Sequence, residues 1–138
     1  MSKPAIFICY RPHLGRDVVL AKQVQVDGKW ALGVAYRRRP RLRARVSLPL
    51  ELVRLAEKRG IESLIIRFEP ERTALELTIA EALRLGQLAR IEGQPELFWP
   101  LSVFRERDFP EWEYLASAET VRIGPSAHAY PKQLAMAI

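Results

Sequence analysis

The clearest structural pattern in the chain lies in residues 24–36, which read Val24-Gln25-Val26-Asp27-Gly28-Lys29-Trp30-Ala31-Leu32-Gly33-Val34-Ala35-Tyr36. Large apolar residues alternate with small or polar ones on both sides of Asp27-Gly28, as they do in half-buried β-strands. Asp-Gly is a strong hairpin signal because both residues tolerate the positive φ of a type I′ turn. The stretch therefore predicts a β-hairpin, which we extend to residues 18–36.

Short apolar segments before and after the hairpin predict further β-strands. They are bounded by Pro, Gly and charged turn residues, as strands commonly are. The predicted strands cover residues 4–10, 41–46, 61–68, 73–78, 88–92, 95–99 and 119–123. We expect strand 41–46 to return beside residues 29–36 with the turn at Pro40, because proline cannot donate a hydrogen bond within a sheet.

A helix is predicted over residues 48–59. Pro49 suits a first helical turn, where its missing N–H costs nothing. Lys58 is favourable near the negative end of the helix dipole. Gly60 is typical of the position just after a helix.

Residues 73–85 have two interpretations. Thr78 and Glu81 have the spacing of a capping box, which predicts strand 73–78 followed by a short helix over 79–85. Thr73 and Glu76 have the same spacing, which favours one long helix over 74–85 instead. We favour the strand followed by the short helix, and the long helix stays open as the alternative.

These elements predict an α+β fold in a single domain over residues 1–124. We expect a strongly bent antiparallel β-sheet, or a partly open barrel, of about seven to nine short strands with one main helix. Residues 125–138 carry few structural signals and are expected to form a loosely packed tail. No apolar run approaches the roughly 20 residues that cross a membrane, and the first residues lack a signal-peptide pattern. We therefore expect a cytoplasmic protein without membrane contact.

Charge is unevenly distributed along the chain, whose formal net charge is +6. Residues 1–60 carry 14 Lys or Arg against 4 Asp or Glu, a net of +10, and residues 61–138 carry 8 against 12, a net of −4. Such asymmetry indicates one region suited to an anionic partner. Most of the basic residues are arginine and asparagine is absent, a composition that fits a thermophile or a GC-rich genome.

The basic excess is concentrated in residues 37–45, which read Arg37-Arg38-Arg39-Pro40-Arg41-Leu42-Arg43-Ala44-Arg45. The second half of this run alternates, which predicts a strand with arginines on one face and apolar side chains on the other. The candidate binding residues are Arg37, Arg38, Arg39, Arg41, Arg43 and Arg45. An alternative role is structural, because charged side chains on an edge strand also prevent aggregation.

The arginine run favours a non-enzymatic domain that binds nucleic acid. Arginine contacts phosphate through two parallel hydrogen bonds and stacks on bases. We expect contacts to the phosphate backbone of RNA or DNA, and therefore binding that is largely independent of the nucleotide sequence. The one main predicted helix carries mixed charges and is unsuited to recognise base edges in the major groove.

The alternative is a protein-interaction or regulatory module, such as an adaptor or inhibitor of a larger complex. It would use the same basic edge against an acidic protein surface, together with the aromatic segment 98–114. Possible aromatic contacts under either hypothesis are Phe98, Trp99 and Trp112. Because neighbouring residues of a strand point to opposite faces, one of Phe98 and Trp99 is expected to face outward.

Catalysis has little support in the sequence. There is no glycine-rich phosphate-binding loop. The chain has one cysteine and two histidines, too few to form the usual Cys and His ligand sets of zinc sites. We expect no cofactor, no metal, and a buried, inert Cys9. The remaining enzymatic hypothesis is a metal-free ribonuclease that uses His13 and His128 as general base and acid.

Overall fold

The structure is a computed structural model, and it describes residues 3–40, 45–108 and 117–124. These residues form a seven-stranded sheet, a three-stranded sheet and two short helices. The elements are β1 (Ala5–Arg11), β2 (Arg16–Val26), β3 (Lys29–Tyr36), β4 (Arg45–Pro49), α1 (Leu50–Lys58), β5 (Ser63–Phe68), β6 (Thr73–Thr78), α2 (Ile79–Leu85), β7 (Gln87–Ile91), β8 (Gln94–Pro100), β9 (Arg105–Asp108) and β10 (Glu119–Ile123). The predicted tail, residues 125–138, lies outside the described residues.

The predicted hairpin is confirmed as β2 and β3. Val26 pairs with Lys29 across the turn, and Gln25 pairs with Trp30. Asp27 and Gly28 both have positive φ, 54° and 77°, as a type I′ turn requires. Apolar alternation and turn chemistry together therefore predicted this element correctly.

The seven-stranded sheet has the order β10-β1-β2-β3-β5-β6-β9 and is mixed. Two pairs are parallel, β1 with β10 and β3 with β5, so the expectation of an antiparallel sheet is wrong at these positions. Between β3 and β5 the chain crosses over through β4 and α1, and such a connection returns the next strand parallel. The sheets are not closed, so the partly open barrel is not confirmed.

The three-stranded sheet has the order β4-β8-β7. The predicted strand 41–46 is corrected here, because its described part begins at Arg45 and pairs with β8 rather than with β3. Residues 41–44 lie outside the described residues. The reason for the different partner is packing, since Val46 and Leu48 of β4 are buried in the main core.

The main core lies on one face of the seven-stranded sheet. There Leu32 of β3 and Leu64 of β5 pack with α1, α2 and the three-stranded sheet. A smaller cluster, which consists of Val24, Val26, Ala31, Ile65 and Ala74, lies on the opposite face of the same strands. Burial on both faces explains why Leu64, Ile65 and Ile66 of β5 are apolar in succession instead of alternating with polar residues.

The helices agree closely with prediction. α1 begins at Leu50 rather than at residue 48, because Leu48 and Pro49 complete β4. α2 spans Ile79–Leu85, and Thr78 and Glu81 form the predicted capping box with hydrogen bonds of 2.9 and 3.0 Å. The long helix over 74–85 is therefore wrong, whereas the main helix and the short helix over 79–85 are both present as the two α-helices of the described residues.

β9 is a strand that the sequence did not indicate, and it brings the number of described strands to ten. It reads Arg105-Glu106-Arg107-Asp108, so it has no apolar alternation. It pairs with the edge of β6, and Arg107 forms ion pairs with Glu76 and Asp27 at 2.7 and 3.0 Å. Ion pairs and backbone hydrogen bonds, rather than a buried face, thus hold this strand.

Candidate functional site

The ends of neighbouring strands bring basic residues together that are distant in sequence. β1 ends at Arg11, which pairs with Arg16 at the start of β2. Because β3 is antiparallel to β2, its carboxyl end lies at the same edge of the sheet. Arg37 and Arg38 directly follow β3 and are exposed, as is Arg45 at the start of β4. We call the region formed by these five arginines the basic end.

A cavity of about 400 Å³ opens within the basic end. Its basic lining residues are Arg11, His13, Arg38 and Arg45, which come from three separate segments of the chain. The other lining residues are Leu14, Val18, Leu20, Tyr36, Pro40, Val46 and Ser47. No acidic residue occurs among these described lining residues. We call this space the basic cavity; it combines apolar walls with an excess of positive charge.

Behind the basic cavity lies an ion pair between Arg11 and Glu96. The Arg11 guanidinium donates to the two carboxylate oxygens of Glu96 at 2.5 and 3.4 Å. The side chains are only 11% and 3% exposed. Burial raises the pKa of Glu96, while Arg11 and a hydrogen bond from Ser47 act in the opposite direction. The charge of Arg11 is thus matched, and its guanidinium is fixed in place.

Tyr36 forms part of the wall of the same cavity. Its hydroxyl donates to the backbone carbonyl of Ser47 at 3.4 Å, which links β3 to β4. Burial raises the pKa of Tyr36 to about 12, so the phenol is neutral at physiological pH. The ring also packs against Phe68, with 5.9 Å between ring centroids. The ring of Tyr36 is therefore held as a rigid apolar surface.

Four of the five arginines of the basic end form no ion pair within the part of the chain that the structure describes. They are Arg16, Arg37, Arg38 and Arg45. The guanidinium of Arg45 lies over the ring of Phe98, 5.6 Å from its centroid. Arg38 and Arg45 line the same cavity, and an anion bound there would relieve the repulsion between their like charges.

Arg39 has a different environment from its neighbours. Its guanidinium donates to the Glu71 carboxylate at 2.7, 3.0 and 3.1 Å and lies 4.9 Å from the centroid of the Phe68 ring. The hydrogen bond from Arg39 lowers the pKa of Glu71. Among the predicted arginines that the structure describes, Arg39 is thus the one that forms an ion pair, and this pair holds the chain after β3 against the β5–β6 turn.

The predicted aromatic contacts are corrected in part. Trp99 is fully buried, its indole N–H donates to the Ala82 carbonyl at 2.8 Å, and it meets Phe104 edge to face. Trp99 therefore cannot contact a partner. Phe98, its neighbour, is half-buried and stacks with Arg45, as strand alternation requires.

Several predicted residues lie outside the described part of the chain, namely Arg41, Arg43, Trp112 and His128. His13 is exposed and borders the basic cavity. The proposed pair of His13 and His128 therefore stays a prediction. Sequence reasoning missed Arg11, Tyr36, Ser47 and Glu96 as parts of a site, because only the meeting of strand ends places them near residues 37–45.

A second cavity, of about 500 Å³, lies between α1, the β7–β8 turn and β1. Cys9 borders it but is only 1% exposed, and burial raises the pKa of its thiol to about 12. Such a thiol is almost entirely protonated and is a poor nucleophile. The predicted burial of Cys9 is confirmed, and its lack of reactivity stays a prediction.

Comparison of the chain with protein-family models, with curated proteins and with solved structures gives no match. Among the described residues, no helix is long and apolar enough to cross a membrane. The same residues contain no group of His, Cys, Asp and Glu side chains arranged to hold a metal ion.

Proposed function

We propose that this domain is a non-enzymatic module that binds the phosphate backbone of nucleic acid through the basic end. The observation that carries the proposal is a cavity lined by Arg38 and Arg45, which form no ion pair among the described residues, with no acidic residue in its described lining and with exposed Arg37 next to Arg38 in the chain. Arg41 and Arg43 belong to the same connection between β3 and β4, and we assign them to the same role.

Arginine suits this role better than lysine does. Its planar guanidinium forms two parallel hydrogen bonds with a phosphate. The guanidinium is also more weakly hydrated than an ammonium group, so its desolvation on binding costs less free energy. The guanidinium of Arg45 also has an aromatic neighbour in Phe98. Bases of a single strand stack on such aromatic and guanidinium surfaces without regard to sequence.

The character of α1 supports recognition of phosphate rather than of base edges. α1 is short, and its exposed side chains include Glu51 and Glu57 beside Arg54 and Lys58. Such a mixed face is unsuited to the major groove. Binding is therefore expected to depend on phosphate contacts and to be strongly dependent on salt.

The alternative, a protein-interaction module with an aromatic anchor at 98–114, has less support. Of the described aromatic residues in that segment, Trp99 and Phe104 are buried and only Phe98 is partly accessible. Interfaces between proteins usually depend on an aromatic or arginine side chain that fills a pocket of the partner. Among the described residues, Phe98 is thus the aromatic side chain of this segment that such an interface could use.

The test is a binding titration with labelled single-stranded RNA, single-stranded DNA and duplex DNA at two salt concentrations. We expect binding at low salt whose affinity falls steeply as salt rises, with a slope set by the number of phosphates neutralised. The test variant carries Arg37→Glu, Arg38→Glu and Arg45→Glu, and the control carries Arg54→Glu, Arg84→Glu and Arg90→Glu at exposed positions elsewhere.

Both triple variants lower the formal net charge from +6 to 0, by two units per substitution. We expect the test variant to lose binding and the control to retain most of it, because local phosphate contacts rather than total charge are proposed to matter. Equal losses in the two variants, or full binding by the test variant, would show that the basic end is not the contact surface.

A further inference from the structure

We propose that the basic cavity is a subsite for a chain end, which takes one unpaired nucleotide with a terminal phosphomonoester. This inference rests on the proposed function and makes it more specific. It changes the expected ligand from a backbone that crosses the basic end to a single strand that enters the cavity by one end.

The shape of the site favours an end over an internal segment. Glu96 is buried and bonds to Arg11 and Ser47, both of which line the cavity, so it lies behind them and closes that side. A strand that enters cannot leave through this wall. A terminal nucleotide can end against this wall, whereas a continuous chain has to run past it.

The size of the site fits a small molecule. Its volume of about 400 Å³ lies within the about 300–1,000 Å³ of ordinary ligand sites. A base within a duplex is stacked and paired, and a protein reaches it only by extruding it at a cost of a few kcal/mol. An unpaired terminal base avoids this cost, so the site favours single strands.

The lining has two chemical parts that match the two parts of a nucleotide. Val18, Leu20, Val46 and the fixed ring of Tyr36 provide apolar surface for a base and ribose. Arg38 and Arg45, with His13 beside them, provide hydrogen-bond donors for a phosphate. Because Arg11 is already paired with Glu96, the unmatched charge lies with Arg38 and Arg45.

Charge also distinguishes an end from the backbone. A phosphomonoester has a second pKa near 6 and carries about −1.5 to −2 at pH 7, whereas a phosphodiester carries a single charge. The terminal group also has three oxygens that accept hydrogen bonds. Two unmatched arginines beside one cavity therefore bind a phosphorylated terminus better than a diester or a hydroxyl terminus.

The experiment compares short single-stranded oligonucleotides of one sequence that carry a 5′-phosphate, a 3′-phosphate or two hydroxyl ends, with the same internal label. We expect one of the phosphorylated ends to bind about tenfold more tightly than the hydroxyl-ended strand, the effect of about one charge-assisted hydrogen bond. A nucleoside monophosphate should compete for this advantage, and the nucleoside should not. Blunt duplexes should show no preference for a phosphorylated end.

A variant separates the cavity from the surrounding arginines. Val18→Phe places a larger side chain at the wall of the cavity and leaves Arg37, Arg38 and Arg45 in place. With circular dichroism as a check of folding, we expect it to lose the preference for a phosphorylated end and to keep the weaker, salt-dependent binding of hydroxyl-ended strands. The competition by nucleoside monophosphate tests the same point without any substitution.

Equal affinity for phosphorylated and hydroxyl ends, with loss of both in the Arg37→Glu, Arg38→Glu, Arg45→Glu variant, would overturn the subsite and leave the proposed function standing. No binding of any oligonucleotide at low salt would overturn both. A phosphate preference that survives Val18→Phe in a folded protein, together with failure of nucleoside monophosphate to compete, would place the end-binding site elsewhere.

Discussion

At the level of single residues, the ion pair between Arg11 and Glu96 shows how a buried charge shapes the candidate site. Both partners are nearly inaccessible, so their mutual attraction mainly offsets the cost of removing them from water. The ion pair is therefore expected to contribute little to the free energy of unfolding. What it does is hold the Arg11 guanidinium and the Ser47 segment in one arrangement behind the basic cavity.

We expect Glu96→Leu alone to destabilise the protein by about 3–5 kcal/mol, because it leaves the Arg11 charge buried without a partner. The double variant Arg11→Met/Glu96→Leu should cost much less, because apolar side chains of similar volume replace both charges. Urea denaturation of the parent, both single variants and the double variant gives the coupling energy. Additive losses would contradict this account.

The pH dependence of the same pair has a definite sign. Burial raises the pKa of Glu96 in the folded protein above its ordinary value of 4.5. The folded state therefore binds the proton more tightly than the unfolded state does, and this contribution to stability is complete below 4.5 and is lost as pH rises through the raised pKa. The free energy of unfolding of the parent, relative to the double variant, should fall as the pH rises from 4.5 through the raised pKa of Glu96.

At the level of elements, Trp99 connects β8 to α2. Its indole N–H reaches the Ala82 carbonyl in α2, and the chain leaves α2 at Gly86 close to the same ring. A Cβ at Gly86 would lie 3.0 Å from the Ala82 oxygen, the Leu97 Cδ2 and the Trp99 Nε1. Gly86 has a φ of −68°, so space and not backbone conformation requires glycine here.

Gly86→Ala should therefore destabilise the protein by about 1–3 kcal/mol, as overpacking does, although the backbone itself would accept alanine with a small gain. Thermal or urea unfolding measures the loss. The matched control is the same substitution in a Trp99→Phe background, which removes one of the three crowded atoms. A smaller loss in that background supports the steric explanation, whereas a gain from Gly86→Ala in the parent would refute it.

At the level of the whole molecule, Arg59 joins α1 to the far edge of the seven-stranded sheet. Its guanidinium forms an ion pair with Glu119 of β10 at 2.8 Å and donates to Gln23 of β2 at 3.1 Å and to the Lys3 carbonyl at 2.8 Å. It also lies 5.9 Å from the centroid of the Phe7 ring. The main core likewise includes residues from both sheets and both helices.

A shared core should make the two sheets unfold together. We expect one cooperative transition in urea, with coincident midpoints for the far-ultraviolet circular dichroism of the strands and for tryptophan fluorescence, because Trp30 lies in the large sheet and Trp99 in the small one. Two separated transitions would show that the three-stranded sheet folds independently, contrary to the single domain predicted for residues 1–124.

Local patterns in the sequence were sufficient for most of the individual elements. The Asp27-Gly28 turn, the Thr78 and Glu81 capping box and the alternation in β6 all act between near neighbours, so they can be recognised without knowledge of the fold. The exception is β9, whose charged residues gain their strand conformation from the edge of β6 and not from an apolar face.

The sequence by itself determined the hairpin, the boundaries of the helices and of the strands other than β9 to within a few residues, and the concentration of arginine at residues 37–45. Only the tertiary structure decided which strands are parallel, that β4 joins β8, and that Arg11 and Glu96 lie beside Arg38 and Arg45. The physical reason is that these features depend on packing and charge pairing between segments far apart in the chain. Hydrophobic periodicity reports which face of an element is buried, but it does not report what that face is buried against.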